Sequence, residues 1–126
     1  VLIDILANDP HWAEWSEAQL LTAASTDELA INPIIYAELA AAYRSATALG
    51  KALHPWPLIR LALPYEAGFL AGQAFKTYRL QGGERRSPLP DFYIGAQAQV
   101  EGLKLLTRDN RRYQTYFPKV KLISPR

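Results

Sequence analysis

The chain has no cysteine, no methionine and only two histidines in 126 residues. Without cysteine there are no disulfides, no thiolate zinc sites and no sulfur nucleophile, and a reducing compartment, the cytoplasm by default, is the expectation. His11 and His54 are isolated in unlike contexts, so no imidazole pair is offered to a metal and neither is assigned a role. The lack of any methionine leaves the translation start outside the sequence, and native residues are expected to precede Val1. No charged-then-apolar leader opens the chain. Apolar residues make up 49% of it, but their runs break well short of a membrane span, so no membrane partner is expected. A net charge of +2 is too small for strong whole-protein steering of a polyanion. The bases are uneven, however: Lys76, Arg79, Arg85, Arg86, Arg108, Arg111 and Arg112 all lie in the C-terminal half.

The length is that of one ordinary domain able to bury a core without staples, and residues 1–126 are expected to form a single one. Punctuation along the chain predicts alternating elements. In "ANDPHWAEWSEAQLLTAAS", Asp9 is an N-cap candidate and Pro10 a first helical residue, ahead of apolar positions at helical spacing. Leu29–Ile31 reads as a strand, closed by Asn32 as cap and Pro33 as the start of the helix "IIYAELAAAYRSA". Leu58 to Leu63 reads as a second strand, and Pro64 opens a helix to about Leu80. The stretch "QGGERRSPLP" is a loop, "DFYIGAQAQVEG" a helix stopped by Gly102, and "LKLLT" a strand. "DNRRYQTYF" is a short helix stopped by Pro118, and "VKLIS" a last strand. This alternation predicts an α/β fold with a central parallel sheet. In such folds, sites form beyond the carboxyl ends of the strands.

Three carboxylates fall at such places. Glu38 lies on the stripe Ile35, Glu38, Leu39, Ala42, which should face the sheet, where a charge is costly unless paired. Asp91 opens its helix after Pro90, and Asp109 ends a strand. Each has an ordinary explanation: Glu38 at the edge of its stripe reaching water, the two aspartates as helix caps. Together they predict an acidic cluster that needs a cation. Oxygen donors without Cys or a His pair point to Mg²⁺ or Mn²⁺, and with arginines nearby to hold phosphates the natural chemistry is phosphodiester hydrolysis.

These residues resemble a PIN-domain ribonuclease, most closely the toxin subunit of VapBC-type toxin–antitoxin pairs. "VLIDIL" is similar to the tail of the family's opening signature, "INPIIYAEL" to the segment bearing its Glu, "PLPDFYIGAQA" to the motif of the next Asp, and "LLTRDNRRYQTYFP" to the closing motif. The resemblance implies a three-layer α/β/α sandwich whose acidic pocket, built from Glu38, Asp91 and Asp109, binds Mg²⁺ or Mn²⁺ for endonucleolytic RNA cleavage. Thr107 would position a water or a neighbouring ligand. It also implies a homodimer and a cognate antitoxin. The family's first metal-binding Asp would precede Val1, together with its strand, which makes Asp4 a later and less constant Asp. A second alignment ends the first strand at "VLID" and makes Asp4 a metal ligand. The first is preferred, because "ILAN" lacks the Thr/Ser-Asn that follows the catalytic Asp.

Arg85, Arg86, Arg108, Arg111 and Arg112 are candidates for RNA phosphates, against the alternative of a solvated face. Tyr113, Tyr116 and Phe117 could stack on bases, though their helical spacing favours core or dimer surface. Trp12 and Trp15 could serve both the core and an antitoxin helix. A non-catalytic module that binds RNA or protein is the rival from another class. A phosphatase or receiver domain is weaker, since the residues after Asp4 do not resemble a phospho-acceptor loop.

Overall fold

The computed structural model describes residues 1–86 and 89–125. Within the predicted 81–90 loop, Ser87 and Pro88 lie outside the described residues. The chain divides into two compact units, Val1–Leu61 and Ala62–Arg126.

The first unit holds α1 (Leu2–Leu6), α2 (Ala13–Thr26), β1 (Leu29–Ile31), α3 (Pro33–Ala40), α4 (Ala46–Leu53) and β2 (Leu58–Arg60). β1 and β2 run parallel, with Leu29 opposite Leu58 and Ile31 opposite Arg60. In β1, Leu29 and Ile31 are buried and Ala30 is exposed, the two-residue alternation of a strand with one covered face. Asn32 then accepts the Ile35 N–H at 2.8 Å and Pro33 starts α3, as its position between strand and helix predicts. Three expectations need correction here. Asp9 does cap, but a turn ahead of the helix: its carboxylate accepts the N–H groups of His11 and Trp12, and α2 begins only at Ala13. The helix predicted to run from Pro33 through Ala46 breaks after Ala40. Ser45 caps a separate helix, α4, by accepting the Ala48 N–H at 3.1 Å. β2 stops at Arg60 rather than Leu63: Leu61 still donates to Ile31, but beyond Asn32 the partner strand has become helix and offers no ladder.

The second unit holds α5 (Tyr65–Leu80), α6 (Pro90–Glu101), β3 (Leu105–Leu106), α7 (Arg111–Tyr116) and β4 (Leu122–Ile123), with β3 and β4 parallel. Ala67, Ala71 and Ala74 place a small-residue stripe at helical spacing on α5, buried in one core with Phe92 and Ala96 of α6, and with Tyr113 and Phe117. The Phe117 ring lies on Gly95, where a β-carbon would run into it. Gly102 ends α6 in the left-handed region at φ 67°, and Leu103 donates back to Ala98 at 2.8 Å, the geometry for which glycine at this position is suited. Gln97, buried, donates to the Ala62 carbonyl at 2.9 Å and to Glu101 at 2.8 Å, which fastens the segment leading into α5 to the middle of α6. The predicted strands "LKLLT" and "VKLIS" shorten to two residues each. No described helix is long and apolar enough to cross a membrane.

Candidate active site

In the second unit, Asp91 occupies the first turn of α6, directly after Pro90, where a carboxylate is favoured by the unpaired N–H groups and the helix dipole. The N-cap residue, Leu89, makes no side-chain cap bond, and Asp91 stands two residues further on. Its carboxylate turns instead to α7: Tyr113 donates its hydroxyl to Oδ1 at 3.2 Å, and Arg112 Nη1 stands 3.6 Å from Oδ2. Arg112 is held from a second side by aromatic faces, its guanidinium carbon 5.5 Å from the Phe92 centroid and 5.9 Å from that of Tyr78. Predicted as a phosphate contact, Arg112 is committed in this structure to Asp91 and to two rings. Tyr113 has its predicted place in the core, and its hydroxyl has a function that periodicity did not reveal.

Thr107 and Asp109 follow β3. The Thr107 hydroxyl accepts the Asp109 N–H at 3.2 Å and donates to the Asp109 carbonyl at 3.1 Å, closing a tight loop. Asp109 itself is exposed, and its Oδ1 accepts the Arg111 N–H at 3.3 Å, a bond to the first residue of α7 from just ahead of its N-cap, Asn110. Asn110 donates to the Ser124 hydroxyl at 3.3 Å, which ties this loop to the end of β4. Arg108 and Arg111 are exposed beside Asp109. Arg85 and Arg86 are exposed on the loop after α5, whose backbone Arg79 holds by donating to the Arg85 carbonyl at 2.6 Å. Tyr116 donates to Gln81 at 3.1 Å, linking α7 to the start of the same loop.

In the first unit, Glu38 lies on α3 beside buried Leu39 and is exposed, at the edge of its stripe. It borders an open cavity of about 460 Å³ lined chiefly by apolar groups, among them Ile3, Leu6, Leu39 and Tyr43. Asp4 is a different case. Val1–Asp4 does not end a strand, as the second alignment requires; Leu2–Leu6 is helical. The Asp4 carboxylate is 3% exposed, accepts the Ser16 hydroxyl at 3.0 Å, and has the Val1 amino group at 3.5 Å. Ser16, wholly buried on α2, is a partner that nothing in the sequence singles out. Trp12 and Trp15 meet edge to face, with centroids 5.8 Å apart, and both are half-buried.

Among the described residues no group of three or more His, Asp or Glu side chains stands ready to hold a metal ion, so the converging trio is not met as an assembled set. The donors themselves are carboxylate and hydroxyl oxygens, which suit a hard divalent cation. Mg²⁺ in particular is commonly held by one or two carboxylates, with waters and substrate phosphates completing its shell. At Asp91 a cation is already accommodated, in the form of the Arg112 guanidinium. The residues therefore fit a cation anchored on one or two carboxylates rather than a three-carboxylate cage.

Comparison with solved structures finds this fold elsewhere. A chain of VapBC2 from Rickettsia felis bound to a DNA fragment from their promoter matches with a TM-score of 0.72 at 17% identity, covering 98% of this chain and 92% of that one. A chain of DNA-bound VapBC from Salmonella typhimurium matches with a TM-score of 0.69 at 20% identity, covering 97% and 90%. At such identities the likeness is one of fold, consistent with the α/β/α sandwich that the resemblance implied. No curated protein matches significantly. The family profile of the PIN domain, whose members are generally nucleases that use divalent metal ions, matches residues 1–118. The chain belongs to the PIN-domain family.

Proposed function

We propose that the chain is the toxin of a VapBC-type pair: an endoribonuclease, formed as a single PIN domain, that hydrolyses RNA phosphodiester bonds with Mg²⁺ or Mn²⁺. The observation that carries this reading is Asp91, a half-buried carboxylate at the first turn of α6 that is oriented by Tyr113 and already faces a cationic group. Asp91 and Asp109 are the metal-facing carboxylates of the second unit, and Glu38 that of the first. A divalent ion held by Asp91 and Asp109 would polarise a phosphoryl oxygen and lower the pKa of a bound water. The chain's own residues prepare that chemistry. Tyr113 fixes the rotamer of Asp91, and the Thr107 hydroxyl sets the loop that presents Asp109. Exposed Arg108 and Arg111, with Arg85 and Arg86, are the groups proposed to meet RNA phosphates. A cognate antitoxin, a homodimer and a cytoplasmic site of action belong to the same proposal; the likeness to chains of VapBC complexes supports the first of these.

The test is cleavage of a structured RNA by the chain with Mn²⁺, beside Asp91→Asn and an EDTA control. Metal-dependent cutting that falls by about a hundredfold or more in the variant is expected. The rival reading is a PIN module that binds RNA or protein without cutting. A folded chain that retains RNA but never cuts it, with or without Mn²⁺, would establish that reading instead.

A further inference from the structure

Arg112 is in an electrostatically awkward place. It lies beside the N-terminal turn of α6, the positive end of a twelve-residue helix, where a cation is disfavoured. Two features hold it there. One is the Asp91 carboxylate, and the other is the pair of ring faces supplied by Tyr78 of α5 and Phe92 of α6. The guanidinium is thus fixed by groups from two helices besides its own. Its side chain is only 32% exposed, which separates it from the long, mobile arginines of an open surface. Its contact with Asp91, at 3.6 Å, is a pairing of charges rather than a bidentate fork. Tyr113, which holds the other carboxylate oxygen, is neutral and donates only a hydroxyl, so the compensating charge at Asp91 comes from Arg112.

We infer that Arg112 is the chain's own counter-cation at Asp91 and competes with a divalent metal ion for that carboxylate. The inference rests on the reading of Asp91 as metal-facing. A divalent ion arriving at Asp91 meets both the helix dipole and a guanidinium already seated, and three positive sources cannot share one carboxylate without mutual repulsion. Metal loading and withdrawal of Arg112 from Asp91 are therefore linked. The aromatic faces make withdrawal possible, since the guanidinium can keep its stacking on Phe92 and Tyr78 while giving up the carboxylate. Arg112 is in this sense a positioning residue: it orients and neutralises Asp91 in the metal-free chain and sets a threshold for metal.

The experiment is Mn²⁺ titration by calorimetry of the full chain and its Arg112→Met and Arg112→Lys variants, with RNA cleavage followed in parallel. Methionine keeps apolar cover over the rings without charge; lysine keeps the charge. Arg112→Met is expected to bind Mn²⁺ about five- to tenfold more tightly than the native chain, the scale of a partly exposed ion pair, and Arg112→Lys to return most of the way to native affinity. Adding Asp91→Asn to Arg112→Met should erase the gain. A merely structural role for Arg112 would weaken Mn²⁺ binding or leave it unchanged in both variants, and either result overturns the inference. If the native chain cuts RNA with metal and the Met variant shows unchanged affinity, only the competition falls and the nuclease reading stands. If neither form binds Mn²⁺ and neither cuts, both fall.

Discussion

Asp4 and Asp91 sit in the same kind of place, near the start of a helix, and are treated in opposite ways. Asp4, in the first unit, is almost wholly buried and accepts the hydroxyl of Ser16, itself buried on the next helix. Asp91, in the second, keeps 40% of its side chain exposed and is held by a tyrosine hydroxyl and an arginine. A carboxylate closed in by its own unit contributes to folding and has little access to a ligand. One left partly open but already oriented is prepared for a ligand, because the cost of ordering it has been met by packing. Local sequence does not separate the two, since each is an acidic residue that follows apolar ones and falls in the first turn of its helix. What distinguishes them is the partner that comes from elsewhere in the chain.

The contrast can be broken most directly by truncating each aspartate in turn. Asp4→Ala leaves the Ser16 hydroxyl buried without the carboxylate it serves, and a loss of about 1–3 kcal/mol is expected in urea unfolding, with Mn²⁺ affinity unchanged. Asp91→Ala should cost less stability and abolish metal binding; equal stability losses at the two positions would mean that Asp91 is as structural as Asp4. Tyr113→Phe is a finer probe. It removes one partly buried hydrogen bond, so about 0.5–1.5 kcal/mol of stability should go, together with a measurable fall in cleavage as Asp91 loses its fixed rotamer. Cleavage untouched by that change would show that the hydroxyl serves the core alone. The smallest effect is expected at exposed Arg111: its replacement by Ala should weaken RNA binding modestly and lower the slope of log affinity against log salt by about one. An unchanged slope would return Arg111 to the status of a solvated surface charge.

Much of the fold was legible where a residue type has one physical use. Leu29–Ile31 was read as a strand with its bounds, because Asn32 and Pro33 punctuate it, and Gly102 was read as a helix stop because it takes the left-handed conformation there. The break between α3 and α4 was not legible: alanines on both sides favour helix, and only the serine at 45 marks the restart. The lengths of β2, β3 and β4 were overestimated, since apolar content cannot say where a partner strand turns away. At the candidate site, the carboxylates stood out by their positions at strand ends and helix starts. Their partners did not, because Ser16 is 12 residues from Asp4 and Tyr113 is 22 from Asp91, separations that carry no local pattern. The contacts of Arg112 with Asp91 and two rings are hidden for a similar reason. In the run "TRDNRRY" three arginines look alike, and only the fold of α7 against α6 turns one of them inward.

Phe117 rests on Gly95 while Tyr113 reaches Asp91, so two positions four apart on α6 are engaged by two positions four apart beginning on α7. Such a matched pair of contacts works like a plug with two pins: neither can be drawn out alone, and a shift of one residue in either helix would misalign both. The absence of a side chain at position 95 is therefore a setting for the charge at position 91. Enlarging residue 95 would push on the Phe117 ring, four residues from the Tyr113 whose hydroxyl meets Asp91, so a change that looks purely steric would press on the neighbourhood of a charge.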